Sequence, residues 1–358
     1  MVTLSGFGDA LYTPMLRSSS STGVSRETSP TKTSLAENSH MEALQDVPIH
    51  QYIGIQNLRR CVRAQSNKLQ AGRSNQQFLV FQGVTKDHLS KIDHERASIG
   101  KHTRMTHDTD ADLLIIKLMP SAEHEIAHIS LATRFVFATL RMGLPEDYLC
   151  PLGGTTFHGR MSSKEADSAY KPVSRVRKTD WPTIVFESGL SESLTRLRHD
   201  AKWWLTNSGG DVKIVVIISI TPAEKRLRVE KWCFHPATGH RPLTRTNPNP
   251  NPLVPTRMQE ITITQNPAAQ PSTAAQPSTI AQPSTIAQPS TIAQLSTIAQ
   301  PSGTIQLGPA PSYAITGAPL ILEFQDVLLR APVPPEGDVI FTTADLSRWA
   351  DAFWRYVT

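Results

Sequence analysis

The sequence predicts a mixed α/β domain in which helices flank a central sheet. Apolar residues recur at helical spacing between 121 and 144 and again between 191 and 207. Short runs rich in β-branched residues lie between and after these segments, and the most apolar of them covers 212–220. Helices and strands in such an order bury their apolar faces by layering the helices on a sheet.

The predicted elements follow one another along the chain. Strands are predicted at 77–84 and 113–118, a helix at 121–144, short strands at 155–158, 164–169 and 183–187, a helix at 191–207, strands at 212–220, 227–234 and 320–328, and an amphipathic helix at 345–356. Ser191 is a suitable N-cap for the second helix, which Gly209 and Gly210 end. The central order is therefore helix, three strands, helix, strand.

Composition divides the chain into five parts. Residues 1–45 and 236–315 are rich in Ser, Thr and Pro, and we predict disorder for both because they cannot offset the entropy of ordering. The second of these parts repeats the hexapeptide Ala-Gln-Pro-Ser-Thr-Ile, which indicates a flexible insert. The core is expected at 111–235 and is completed by strands and a helix within 316–358, while 46–110 is an extension of poorly determined structure.

Charge and cysteine content narrow the function classes. A formal net charge of +5 permits a nucleic-acid partner without requiring one. The three cysteines lie far apart, which argues against a disulfide framework and a cysteine zinc site. No segment has the length of a membrane span, so we expect no membrane partner and an intracellular location, nuclear or cytoplasmic. The proline-rich insert is a candidate for binding protein partners.

Three charged residues suggest a catalytic site. Asp167 lies in one predicted strand, Glu187 ends the next, and Lys202 follows on the second helix. Neighbouring carboxylates offer the oxygen ligands that Mg²⁺ prefers. Such an ion lowers the pKa of a bound water and offsets charge that develops on a phosphate. Lys202 falls on the shoulder of the apolar helix face, from which its ammonium group could reach the strand ends.

The order of elements and the block Trp-Pro-Thr-Ile-Val-Phe-Glu-Ser-Gly-Leu-Ser-Glu-Ser at 181–193 resemble the PD-(D/E)xK nuclease superfamily. The resemblance covers roughly 112–235, and its nearest branch is a restriction-endonuclease-like domain that also occurs in fungal proteins. It implies a restriction-endonuclease-like fold, a nucleic-acid substrate, DNA or RNA, and Mg²⁺ held by Asp167 and Glu187.

The same resemblance assigns the remaining site residues. The lysine expected two residues after the second acidic residue is absent, because Gly189 stands there. The resemblance implies that Lys202 takes its place as the catalytic cation. His124 and Glu125, on the first helix, would support the metal site. The missing lysine keeps open a second interpretation, a non-catalytic binding or scaffold protein with a nuclease-like fold.

A third interpretation starts from the sequence His124-Glu125-Ile126-Ala127-His128. Two histidines four residues apart on a helix share one face and can bind zinc, with the glutamate as general base. This pattern is typical of zinc metallopeptidases. The metzincin pattern would further require glycine at 131 and histidine at 134, where the chain has Leu131 and Arg134.

Overall fold

The computed structural model describes residues 47–100, 103–118, 122–160, 162–190, 194–237, 252–267 and 311–357. Within them the chain folds as a mixed α/β structure with a six-stranded sheet, a seven-stranded sheet and a two-stranded ribbon. Both larger sheets combine parallel with antiparallel pairs, which confirms the predicted fold class. None of the helices in these ranges is long and apolar enough to cross a membrane.

The first sheet has the strand order β1-β2-β4-β3-β7-β6. Its strands are β1 (Ile49–Gln51), β2 (Phe78–Gln82), β3 (Thr103–Asp108), β4 (Leu113–Leu118), β6 (Thr156–His158) and β7 (Ser162–Glu165). Three helices accompany it, namely α1 (Ile55–Gln70), α2 (Lys86–His94) and α3 (Arg96–Ile99). Leu58 and Val62 of α1 pack with Phe81 and Leu114 of the sheet into one apolar cluster.

The second sheet has the order β13-β12-β11-β10-β9-β8-β5. Its strands are β5 (Leu149–Pro151), β8 (Ser168–Pro172), β9 (Ile184–Leu190), β10 (Ile214–Thr221), β11 (Arg226–Pro236), β12 (Leu253–Gln265) and β13 (Tyr313–Thr316). Strands β9 and β10 run parallel, while the other neighbours are antiparallel.

Helices cover both faces of the second sheet. Helix α4 (Ala122–Arg141) packs with Ile184 and Phe186 of β9, whereas α5 (Leu194–Asn207) packs with Val185. Successive residues of a strand point to opposite faces, so β9 contributes to two cores at once. The amphipathic α7 (Thr343–Val357) joins the α4 side through Trp349. The short α6 (Phe324–Leu328) and the ribbon β14 (Leu320–Leu322) with β15 (Val339–Phe341) complete that side.

The chain passes from one sheet to the other at Ala166 and Asp167. Lys164 pairs with Thr106 in the first sheet, and Ser168 already pairs with Phe186 in the second. The single strand predicted at 164–169 is therefore wrong, because two strands of different sheets share that stretch. The sequence hides the break, since no glycine or proline marks it.

The structure differs from the predicted boundaries in three further places. Residues 46–110 were predicted as an extension of poorly determined structure. They contain strands β1 to β3 of the first sheet and the helices α1 to α3 beside it. Strand β12 lies inside the predicted disordered insert, because Ile261 and Ile263 alternate into the core. The strand predicted at 320–328 ends at Leu322, and α6 follows. Residues 1–45, Ser191 and the hexapeptide repeats lie outside the described residues, so the predictions made for them remain predictions.

Candidate functional site

Charged side chains from both sheets meet where the chain crosses between them. Lys117 Nζ, near the end of β4, lies 2.8 Å from Asp167 Oδ2 and 3.5 Å from Glu187 Oε2 on β9. The same ammonium group donates a hydrogen bond to the backbone oxygen of Ser188 at 2.8 Å. The structure thus brings together the two predicted carboxylates, and Lys117 lies between them.

A second layer of charges lies on the α5 side of Glu187. Lys164 Nζ of β7 lies 3.7 Å from Glu187 Oε1 and 3.0 Å from Asp200 Oδ1. Arg196 Nε lies 3.3 Å from the same Asp200 oxygen. The indole N–H of Trp204 donates a 2.7 Å hydrogen bond to Glu187 Oε1. Helix α5 therefore supplies a carboxylate, a guanidinium and an indole donor to this group of charges.

The six ionised side chains form what we call the junction network. Its members are Lys117, Lys164, Arg196, Asp167, Glu187 and Asp200, none of which is more than 5% exposed. Three cations balance three carboxylates when all six groups are ionised. This balance matters because an uncompensated charge so deep in a protein is strongly unfavourable.

Burial and neighbouring charges move the pKa values in the junction network apart. Burial alone would raise the pKa of Asp167, but Lys117 and His124 outweigh it and hold that pKa well below its ordinary value. Burial, with help from Asp167, raises the pKa of Glu187 to about 7 despite the opposing effect of Lys164. Asp167 is therefore ionised at neutral pH, while Glu187 exchanges a proton near it.

His124 touches the junction network from α4. Its Nε2 lies 3.2 Å from Asp167 Oδ2, and its backbone oxygen accepts a 3.1 Å hydrogen bond from Ser188 Oγ. Burial lowers the pKa of His124, so the imidazole is neutral at neutral pH. Glu125 faces His128 instead, with Oε2 lying 3.4 Å from His128 Nε2. Of the two predicted supporting residues, only His124 contacts a carboxylate of the junction network.

The structure places Lys202 away from this group. Its side chain is exposed, and Nζ lies 6.0 Å from the centroid of the Trp232 ring. Residues Leu197, Ala201 and Trp204 of α5 face the sheet, and Lys202 projects about 100° from Ala201 around the helix. The cation predicted at Lys202 is therefore found at Lys117 and Lys164, which come from the first sheet.

One sequence signal could have identified Lys117, although the cation was predicted at Lys202. β4 has the sequence Leu-Leu-Ile-Ile-Lys-Leu, in which every residue is buried. A lone lysine in such a strand needs a buried counter-charge. Lys164 and Asp200 carry no comparable signal, because each is surrounded in sequence by other charged residues.

One carboxylate oxygen of the junction network lacks a hydrogen-bond partner. Asp167 Oδ1 is buried and makes no hydrogen bond within the described part of the chain. Carboxylate oxygens can serve as ligands of a divalent ion, and the group with metal-ligand spacing among the described residues is His124, Glu125 and His128. Comparisons with protein-family models and with curated proteins found no match for this chain. The interpretation of the site therefore depends on its geometry.

Proposed function

We propose that this protein is a metal-dependent nuclease that hydrolyses phosphodiester bonds of nucleic acids around Asp167 and Glu187. The observation that supports this most is the position of Lys117, whose ammonium group lies within 3.5 Å of both carboxylates. A divalent ion held by the two carboxylates would activate water and polarise the phosphate, and the nearby lysine would stabilise negative charge on it. The parallel pairing of β9 with β10, which α5 connects, supports the proposal as well.

Each side chain has a distinct role in this proposal. Asp167 offers Oδ1 as an ionised ligand, and Glu187 becomes a ligand when it loses its proton. A bound Mg²⁺ would polarise the phosphate and activate water. Lys117 takes the place of the lysine that is missing at Gly189, and it stabilises negative charge on the phosphate. Trp204 and Lys164 hold the Glu187 carboxylate in position.

Charge balance predicts that metal and substrate bind together. The junction network is neutral when fully ionised, so a divalent cation alone would leave an excess of positive charge in a buried place. A phosphodiester group brings compensating negative charge. Glu187, whose pKa is raised to about 7, must also lose its proton before the network is neutral. We therefore expect weak Mg²⁺ binding without nucleic acid.

A basic cleft on α1 supports a nucleic-acid partner. Arg59, Arg60 and Arg63 line a cleft of about 600 Å³ together with Ser98. Helix α1 has no acidic residue. Of these three arginines, Arg59 alone forms an ion pair with a described residue, and its partner is Glu95. Clustered arginines on one helix face bind phosphate backbones without regard to sequence.

A nicking assay tests the proposed activity. The full chain is incubated with supercoiled DNA or structured RNA, with Mg²⁺ or with a chelator. Asp167→Asn and Glu187→Gln should each reduce the cleavage rate at least about 100-fold, because they remove a metal ligand. Asp211→Asn is the matched control, since Asp211 is an exposed carboxylate that pairs with Arg175 outside the junction network. Cleavage that survives both junction substitutions would contradict the proposal.

A second candidate function is a non-catalytic binding protein whose junction network serves stability alone. Complete burial of all six charged groups favours it, as does Gly189 in the place of the expected lysine. Under this alternative the wild-type protein cuts no nucleic acid under any metal condition. Asp167→Asn would still destabilise it, because Lys117 would lose its counter-charge.

A further inference from the structure

Three side chains at the start of α4 form a group that adjoins the junction network through His124. His124, Glu125 and His128 each offer one ligand atom, and these atoms lie within 4.8 Å of one another. The two histidines stand one helical turn apart on one face, with ring centroids 5.4 Å apart. His124 and His128 are buried, while Glu125 is partly exposed.

The ring nitrogens of His124 and His128 have few hydrogen-bond partners for buried groups. No described residue makes a hydrogen bond of good geometry to either ring nitrogen of His124 or to Nε2 of His128. His124 Nε2 nevertheless lies 3.2 Å from Asp167 Oδ2, and His128 Nε2 lies 3.4 Å from Glu125 Oε2. Most buried polar atoms in proteins are satisfied, and His124 Nδ1 has no such contact among the described residues, so a bound ion would supply a missing partner.

Ser168 can orient His128 for metal binding. His128 Nδ1 lies 2.8 Å from Ser168 Oγ. When His128 donates its Nδ1 proton to this oxygen, the lone pair of Nε2 faces Glu125 Oε2 at 3.4 Å. In that tautomer the lone pair and the carboxylate repel unless a cation lies between them. Metal binding would select this tautomer, whereas in the other tautomer Nε2–H donates to Glu125.

We propose that His124, Glu125 and His128 bind one divalent transition-metal ion of the zinc class. Two imidazoles and one carboxylate suit zinc and its neighbours, whereas Mg²⁺ prefers oxygen ligands alone. Zinc–nitrogen bonds of about 2.0–2.1 Å require the ligand atoms to draw closer, which the partly exposed Glu125 permits. Asp167 Oδ2, at 3.2 Å from His124 Nε2, lies near enough to orient that imidazole. This inference does not depend on nuclease activity.

Metal analysis of the full, tag-free chain tests the site. The protein is stripped with a chelator, titrated with Zn²⁺, desalted and analysed for zinc, and Co²⁺ serves as a visible-absorption probe of coordination. We expect one zinc per chain in the wild type. Glu125→Gln and His128→Gln should each weaken binding about 10- to 100-fold or more. His107→Gln is the matched control, because His107 is also buried but forms a 2.6 Å hydrogen bond with the backbone oxygen of Val84. Its substitution should leave zinc binding unchanged.

Two results would overturn the metal site. One is a wild-type chain that retains no zinc and gives no Co²⁺ absorption, in which case a proton holds the place between Glu125 and His128. The other is that Glu125→Gln binds zinc as tightly as the wild type does. This comparison remains valid even if His128→Gln does not fold. Glu187→Gln separates the two proposals, because it should abolish Mg²⁺-dependent cleavage while zinc remains bound.

Discussion

Lys117 on β4 and Asp167, in the connection between the sheets, form a 2.8 Å ion pair across fifty positions of sequence. The pair fastens the first sheet to the point where the second begins. Lys117 also contacts Glu187, so its removal would leave two buried carboxylates short of a counter-charge. Burial would lower the pKa of Lys117, but Asp167 and Glu187 outweigh that effect and raise it, which keeps the ammonium group charged.

Lys117→Met should therefore be strongly destabilising. Removing one partner of a buried ion pair costs about 3–5 kcal/mol in the free energy of unfolding. Lys202→Met is the matched control, since Lys202 is exposed and its loss should change that free energy by no more than about 0.5 kcal/mol. Urea unfolding followed by circular dichroism measures both. Equal effects of the two substitutions would show that the buried ion pairs of Lys117 do not stabilise the fold.

Glu187 should make stability depend on pH between about 4.5 and 7. Its folded pKa is raised to about 7, so in this interval the folded state holds a proton that the unfolded state releases. Stability from this group is present below pH 4.5 and is lost as pH rises towards 7, by on the order of 1–3 kcal/mol.

The free energy of unfolding of the wild type and of Glu187→Gln is measured from pH 4.5 to 7 with a chelator present. The difference between the two proteins isolates the pH dependence that comes from Glu187. The lowered pKa of His124 acts in the opposite direction, but it is present in both proteins and cancels in the difference. The advantage of wild type over the variant should shrink as pH rises. A difference that stays constant from pH 4.5 to 7 would mean that Glu187 titrates normally.

The two adjacent tryptophans of α5 provide a matched pair of substitutions. Trp204 donates its indole N–H to the Glu187 carboxylate at 2.7 Å, whereas Trp203 donates to the neutral hydroxyl of Ser162 at the same distance. Hydrogen bonds to charged groups contribute about 1.5–3 kcal/mol, and neutral ones about 0.5–1.5 kcal/mol. Glu187 is ionised above its pKa of about 7. In that range Trp204→Phe should therefore reduce the free energy of unfolding more than Trp203→Phe. The reverse order, measured by circular dichroism, would contradict the role given to Trp204.

The hairpin of β12 and β13 should close without the residues between its strands. Gln265 pairs with Tyr313, and the backbone N–H of Asn266 donates to the Ser312 oxygen at 2.8 Å. Replacing 268–310 by Gly-Ser-Gly should leave the fold intact and raise its stability, because each halving of a loop recovers about 0.6 kcal/mol.

Thermal unfolding of the shortened chain measures this effect. Ile263→Ala in the same chain is the contrasting variant, because it empties a buried position of β12 and should cost about 2–5 kcal/mol. A shortened chain that fails to fold would show that 268–310 contribute to stability.

Local patterns predicted the three central strands of the second sheet, β9 to β11, and the helices α4 and α5. The strand at 113–118 is confirmed to the residue, and α4 and α5 lie within the predicted helices, because their apolar periods are long and regular. Strand β12 was missed because its two core residues, Ile261 and Ile263, stand in a Thr- and Gln-rich context that resembles the neighbouring repeats. The switch between sheets at Asp167 was missed because tertiary pairing alone determines it.

The candidate site was predictable only in part. Asp167 and Glu187 do meet, as their positions at strand ends predicted. The cation that joins them was assigned to Lys202 because reasoning along one helix considered only sequence neighbours. Lys117 lies 70 positions before Glu187, and the predicted strand at 113–118 that carries it does not indicate which distant carboxylates it meets. Pairing between distant segments is not encoded in local periodicity.

The crossing of the chain at Ala166 and Asp167 has a consequence for how this protein unfolds. Lys117 and Lys164 belong to one sheet and Glu187 to the other, so neither half holds a complete set of reactive groups. Separation of the halves would dismantle the centre before either half lost its own strands. Loss of the proposed cleavage would then report separation of the two sheets before global unfolding, whereas the proposed zinc ligands all lie on α4 and would stay together.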